Sequence, residues 1–181
     1  MNSRDTFLAS IRRASVPAAA LPQIPQGIQF ADPVQRFAET LASVGGVCVH
    51  GGVPEALDVY KSSKRIVSLL DSGKLTGDPK ELADVDLAVV NGAFGVAENA
   101  AVWIPGANLG RHRALFVIAQ HLILMVPASS IVHNMHEAYD QVSLGRGGFG
   151  VFVSGPSKTA DIEQSLVIGA QGARSCTVIL T

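Results

Sequence analysis

Charge is scarce in this chain. Only 16% of its 181 residues are Asp, Glu, Lys or Arg, and 14 basic side chains nearly cancel 15 acidic ones. That balance supplies no basic footprint of the kind nucleic acids require. So little charge also hints that part of the surface is covered by a partner, a further copy of the chain included. Cysteine is scarcer still: Cys48 and Cys176 each sit inside an apolar β-like run. Two thiols argue against a disulfide framework, and a four-thiolate iron–sulfur cluster cannot be built from them within one chain. Buried reduced thiols are the plain reading. No apolar run reaches the ~20 residues that cross a bilayer. Met1-Asn2-Ser3-Arg4-Asp5 carries no hydrophobic signal region, so a cytoplasmic location is expected. The aromatic residues Tyr60, Trp103 and Tyr139 are too scattered to form a base-stacking platform. The motifs G-x-x-x-x-G-K-[ST], G-x-S-x-G and G-x-G-x-x-G are all missing.

Apolar material, by contrast, is plentiful: 48% of the residues are hydrophobic, ample for a buried core. The length fits one domain. Ser3 to Ser15 reads as an amphipathic helix with Phe7, Leu8, Ile11 and Ala14 on one face. Val16 to Phe30, rich in proline, reads as an extended linker. Residues 1–30 are therefore set apart from a single domain at 31–181. Asp32-Pro33 opens the next helix, with Asp32 as N-cap and Gln35 completing a capping-box pattern; Gly45 and Gly46 close it. Helices are further expected over Val53–Ser62, Pro79–Ala83, Ala114–Ala119, from Ser129 or Ser130 to about Val142, and from Thr159 to Ala170. Apolar runs predict strands at 47–50, 65–70, 86–91, 121–126, 149–153 and 176–180. Phe94–Pro105 reads as a strand pair or hairpin, and Gly106–Arg113 as loop.

Strands with continuous apolar centres, separated by helices, imply an α/β fold with a mostly parallel sheet and helices on both faces. Ligands of such sheets bind at the carboxyl ends of the strands. That rule directs attention to His50-Gly51-Gly52, Asn91-Gly92 and Ser154 to Thr159. In Gly155-Pro156-Ser157-Lys158-Thr159 a strand is expected to run through a polar turn into a helix N-terminus. Such a junction is either an anion seat or an inert, well-capped turn. Glu98 is a lone carboxylate in a small apolar stretch, with no Lys or Arg within ten residues on either side. Buried, it would suit acid–base or nucleophilic work; in a hairpin turn it would simply face water. Arg111 and Arg113 flank His112 and offer guanidinium forks to a phosphate or carboxylate, or a solvated loop. His133, His136, Glu137 and Asp140 fall on one helix face without a distant third ligand, so a solvated face is expected and no metal. His121 reads as a hydrogen-bonded strand-edge histidine.

The wording of these segments carries a resemblance. Gly155-Pro156-Ser157-Lys158-Thr159-Ala160-Asp161-Ile162-Glu163, followed by Leu166-Val167-Ile168-Gly169 and Gly172, resembles the C-terminal signature of the LUD-domain family. Gly95-Val96-Ala97-Glu98 is similar to its central motif. His121, Val126-Pro127-Ala128-Ser129 and Ile131-Val132 resemble its third block, and Phe7-Leu8 with Ile11-Arg12 its N-terminal pattern. The resemblance spans most of the chain. It implies a fold similar to the sugar-phosphate isomerase, CoA-transferase and formyltetrahydrofolate cyclo-ligase group. It also implies an accessory subunit in the oxidation of L-lactate to pyruvate, binding a small anionic ligand beside iron–sulfur partner proteins and carrying no cofactor itself. Glu98 would then act as acid, base or orienter, with Gly95, Asn99, Arg111, Gly155, Ser157, Lys158 and Thr159 lining the site. The chain departs from the family after the glutamate, where Thr-Gly-Thr or Thr-Gly-Ser is usual and Asn99-Ala100-Ala101 stands here. Glu98-Asn99 is similar instead to the Glu-Asn-Gly of CoA transferases, whose glutamate forms an acyl thioester, with Ala100 in place of the glycine. The alternative it implies is a transferase or isomerase acting through Glu98 on a CoA thioester or sugar phosphate.

Overall fold

A computed structural model describes the chain except for residues 1, 15, 17, 18, 21, 23, 24, 26, 53–56, 58, 59, 71–77, 145–147 and 161–165. Helix α1 spans Ser3–Arg13, close to its predicted limits, and buries none of its residues. Helix α2 spans Pro33–Ser43. Asp32 caps it by accepting from the Gln35 N–H at 2.9 Å, while the Gln35 side chain turns to Glu39. Its other end closes with Gly46 N–H on Leu41 O and Gly45 N–H on Ala42 O, the paired pattern of a Schellman motif. Phe37 and Leu41 form its buried face.

Five strands, β1 (Val47–His50), β2 (Ile66–Ser68), β3 (Leu87–Asn91), β6 (His121–Val126) and β11 (Ser175–Leu180), make a parallel sheet in the order β1-β11-β6-β3-β2. Alternation along these strands splits the apolar residues into two cores. Leu87, Val89, Ile123 and Ile179 face Tyr60 and Leu57 on one side. Ala88, Val90, Leu122, Leu124, Val178 and Leu180 face the other, against α2 and a second sheet. That second sheet contains β4 (Phe94–Val96), β5 (Ala101–Pro105), β7 (Ile131–Val132) and β8 (Gly150–Val153) in the order β7-β4-β5-β8. The predicted hairpin is thus present as β4–β5, joined by β8 and β7 into a layer of its own. Its outer face, Phe94, Val96, Ala101 and Trp103, packs on Val132 and Ala138.

Three expectations change. The expected helix does not begin at Thr159. Lys158–Ala160 forms β9 and Leu166–Ile168 forms β10, paired antiparallel with Val167 opposite Thr159. Thr159, Val167 and Ile168 are β-branched and favour a pleated chain over a helix; Asp161, Ile162 and Glu163 lie outside the described residues. The helix expected from Ser129 begins later. Ala128–Ser130 makes a single tight turn, Ile131–Val132 joins β4, and helix α5 runs Met135–Gln141. Asn134 is the effective cap because its side chain accepts from the Glu137 N–H at 3.1 Å. Within the expected loop, Gly106–Leu109 forms a short helix, α3, followed by α4 at Leu115–Ile118. Most of the helix expected over Val53–Ser62 lies outside the described residues.

Candidate functional site

The β4–β5 hairpin places the central motif. Its four-residue tip, Ala97 to Ala100, ends with Ala100 at φ 55°. A four-residue hairpin loop commonly closes on a left-handed residue, which is where the resembled family carries glycine. Ala100 adopts this conformation at a strain of about 1–2 kcal/mol. Asn99 steadies the turn by accepting from the Ala101 N–H at 3.0 Å. Gly95 lies at a close approach: a Cβ there would stand 2.6 Å from Ile131 Cδ1 and 2.8 Å from Phe37 Cε2.

Glu98 is exposed, which is the hairpin-turn alternative of the two left open for it. Its N–H donates to His133 O at 3.0 Å, and its carboxylate accepts from the Met135 N–H at 2.9 Å. Glu98 therefore supplies an acceptor to the first turn of α5. Lys158 is engaged elsewhere. Its ammonium donates to Val44 O, the terminal carbonyl of α2, and to Pro156 O at 3.4 Å. A lysine on the last carbonyls of a helix complements the dipole's negative end. Because Lys158 and Thr159 lie in β9, they do not form the expected helix N-terminus. Lys158→Ala is expected to lower the unfolding free energy by about 0.5–1.5 kcal/mol and to leave any phosphate- or lactate-induced shift in Tm unchanged, measured by thermal unfolding with and without each anion.

The structure does join part of the predicted set. Ser154 Oγ donates to Asn99 O at 2.7 Å, tying the hairpin tip to the segment that leads into Gly155. Ser157 N–H donates to Ala173 O at 2.8 Å, and Ser157 O accepts from the Gly169 N–H at 2.9 Å. Thr159 sits in β9 opposite Val167. Ser154, Gly155, Ser157 and Gly172 line a pocket of about 230 Å³ floored by Phe116 and Leu122. Arg111 is not part of this group. It stands exposed beyond α3, past the far end of β5 from Glu98.

Arg111 follows α3, the short helix that Asn108 joins to the carboxyl edge of the parallel sheet. Asn91 ends β3, its Nδ2 donating to Leu70 O at 3.2 Å and its carbonyl accepting from Asn108 Nδ2 at 2.8 Å. Asn108 thus fastens α3 to the end of β3, and Gly110 turns the chain to Arg111. Next to it, His112 is buried, and the Arg113 guanidinium lies over the Phe149 ring at 5.0 Å. Asn108 had no sequence signal of its own; an Asn after an apolar strand, as at Asn91, was the available clue.

The histidine face resolves into a clamp. His133 Nδ1 accepts from the Phe30 N–H at 3.0 Å, which leaves the ring proton on Nε2. Glu137 accepts from Gln29 Nε2 at 2.6 Å and from the His133 N–H at 2.9 Å. The Gln29 amide above all holds the Glu137 carboxyl below its ordinary value; desolvation opposes it, and the His133 N–H and ring and the Asn134 amide add to the lowering. Among the described residues no group of three or more His, Cys, Asp or Glu is arranged to hold a metal. His121 Nδ1 meets Ser175 Oγ at 2.8 Å, at the amino edge of the sheet. Burial pushes the Cys176 thiol up to about 12 and raises that of Cys48, so neither is poised as a thiolate. Among the described residues no helix is long and apolar enough to cross a membrane.

A family model of the LUD domain matches residues 50–181. Lactate utilization protein C of an Exiguobacterium species is 35% identical over 104 residues, which is 54% of this chain and 44% of that protein. Lactate utilization protein C of Shouchella clausii is 31% identical over 122 residues, 63% of this chain and 52% of that protein. The chain spans about half the length of the curated relatives it matches. A DUF162 family protein from Deinococcus radiodurans superposes with a TM-score of 0.57 at 17% identity, covering 85% of this chain and 99% of that one, and so shares the fold.

Proposed function

Because the chain belongs to the LUD-domain family, whose curated relatives here are named for lactate utilization, we propose that it serves L-lactate oxidation as an accessory subunit that binds a small carboxylate. The ligand sits at the carboxyl edge of the parallel sheet. One observation carries this placement: Arg111 is exposed three positions after Asn108, whose amide is bonded to the last residue of β3. A guanidinium fork matches a carboxylate in two parallel hydrogen bonds, and strand ends are where such sheets hold ligands. Electrons leave through iron–sulfur partner proteins, since two cysteines are too few for a four-thiolate cluster. Glu98 and Lys158 support the framework around the site.

The test is calorimetric binding of L-lactate and of pyruvate, paired with growth on L-lactate of a host lacking its own copy. Arg111→Ala is expected to weaken binding about ten- to a hundred-fold, the worth of a charged hydrogen bond, and to slow growth. Arg111→Lys recovers the charge without the fork. Glu98→Gln, which keeps an acceptor for the Met135 N–H, is expected to grow as wild type does. If Glu98→Gln abolishes growth while Arg111→Ala does not, the reading gives way to an enzyme acting through Glu98 on a CoA thioester or sugar phosphate.

A further inference from the structure

The residue directly before each of four neighbouring parallel strands lines one cavity of about 720 Å³: Arg174 before β11, Gln120 before β6, Asp86 before β3 and Arg65 before β2, with Lys64 beside it. This is the amino edge of the sheet, opposite Asn91 and Asn108. The backbone there is already paired. Arg174 N–H donates to Gln120 O at 2.7 Å, His121 N–H to Asp86 O at 2.8 Å and Asp86 N–H to Arg65 O at 3.0 Å. A ligand at this edge is therefore held by side chains. Both carboxylates are already engaged. Asp84 pairs with the Arg65 guanidinium. Asp86 accepts through Oδ2 from the Lys64 N–H at 2.7 Å and the Arg65 N–H at 3.2 Å. Those two donors hold its carboxyl below its ordinary value, so it is an ionised acceptor, with Oδ1 still open among the described residues. The Lys64 ammonium, the Arg174 guanidinium and the Gln120 side-chain amide have no hydrogen-bond or ion-pair partner among the described residues. The stem of Arg174 rests on Gly169. Adjacent strands lie about 4.8 Å apart, so the starts of β11 and β2 are separated by about 14 Å. An unpaired cation stands at each end of that span, with Gln120 and Asp86 between them.

We infer that this cavity binds a small molecule with a phosphate at each end and hydroxyl groups between, a bisphosphorylated polyol. The Arg174 guanidinium takes one phosphate as a fork. The Lys64 ammonium takes the other as a point charge. A phosphate monoester carries close to two negative charges near neutral pH, so each end of the ligand meets a cation that no carboxylate of the protein offsets. The middle of the site asks for hydroxyls. Gln120 both donates and accepts, and Asp86 Oδ1 accepts only. The fixed charge of Asp86 also repels a phosphate placed at the centre, which keeps the two phosphates at the ends. The volume lies within the ~300–1,000 Å³ of small-molecule sites, far more than a lone phosphate ion fills.

Calorimetric titration of the full chain with a hexose bisphosphate, the corresponding monophosphate and inorganic phosphate tests this. The bisphosphate is expected to bind with a Kd below ~1 mM, and at least ~10-fold more tightly than either of the others, since each end adds charged hydrogen bonds. Lys64→Ala and Arg174→Ala, both at exposed positions, are each expected to weaken it at least ~10-fold. Arg36→Ala, which removes an exposed arginine of α2, is expected to leave it unchanged. Saturating L-lactate is expected to leave it unchanged too, because the carboxyl edge lies at the other end of the strands. In two-dimensional NMR the amide signals of Asp86, Gln120 and Arg174 are expected to move on titration, and those of Asn91 and Asn108 to stay. A Kd weaker than ~1 mM overturns the assignment. Inorganic phosphate or the monophosphate binding as tightly as the bisphosphate reduces it to general attraction of anions to a cation, and overturns it. Either Lys64→Ala or Arg174→Ala binding as the wild type does, or displacement of the bisphosphate by L-lactate, overturns it equally.

Discussion

Phe37→Ala is expected to lower the unfolding free energy by about 3–5 kcal/mol and Tm by roughly 10–15 °C for a domain of this size. Phe37 is fully buried and joins the core between α2 and the parallel sheet. Its ring edge stands where a side chain at Gly95 would begin, and that contact makes the effect specific. Gly95→Ala alone forces a Cβ against Phe37 and Ile131 and is expected to destabilise by about 1–3 kcal/mol. In the Phe37→Ala background the same methyl enters space the ring has vacated. The double variant is therefore expected to be more stable than the sum of the single effects by at least ~1 kcal/mol, read by urea unfolding of all four proteins. Additivity within ~0.5 kcal/mol would show that Gly95 is not set by packing, and would return it to the ligand-binding set the central motif implied.

What the sequence disclosed and what it hid divide by range of interaction. The Asp32 cap, the end of α2 at Gly45-Gly46 and the apolar strands β3 and β6 depend on neighbours a few residues away, and local pattern was enough to find them. The family was legible from wording spread over four segments. The second sheet was only half visible, because the β5–β8 register that makes it a layer joins residues some fifty positions apart. The C-terminal motif misled for a local reason. Ile162, Leu166 and Gly169 satisfy helical spacing, but Leu166-Val167-Ile168 is equally a strand, and short apolar runs leave the two undecided. The roles of Glu98 and Lys158 were out of reach altogether. Their partners, Met135 and Val44, lie 37 and 114 residues away. Two side chains expected to converge on one ligand instead finish the ends of two different helices.

Asn134→Ala is expected to lower the unfolding free energy by about 1–3 kcal/mol, since it removes the cap of α5 and leaves the half-buried Glu137 N–H and the Ile28 carbonyl without their partner. Asn134 is 1% exposed. Its Oδ1 caps α5 through the Glu137 N–H at 3.1 Å, and its Nδ2 donates to Ile28 O at 2.9 Å. Gly27 lies flat against the amide, where any Cβ would stand 2.6 Å from Asn134 Cγ. The residue therefore holds both the start of α5 and the strand of chain leading from α1. Hydrogen exchange at residues 28–30 is expected to accelerate in the variant. Asn134→Asp restores the acceptor for Glu137 but not the donor to Ile28, so it recovers the cap and leaves the fast exchange. Acid provides a separate reading. The Glu137 carboxyl is depressed in the fold, chiefly by Gln29, so its contribution is complete above the ordinary value of 4.5 and is lost as pH falls through the depressed one. Releasing residues 28–30 removes Gln29 from Glu137, and the acid-side decline in stability is expected to become shallower in Asn134→Ala. Unchanged exchange at 28–30, with an unfolding free energy within ~0.5 kcal/mol of wild type, would mean that the hydrogen bonds of Asn134 hold neither element, and that the Phe30–His133 and Gln29–Glu137 hydrogen bonds fasten this segment to the body.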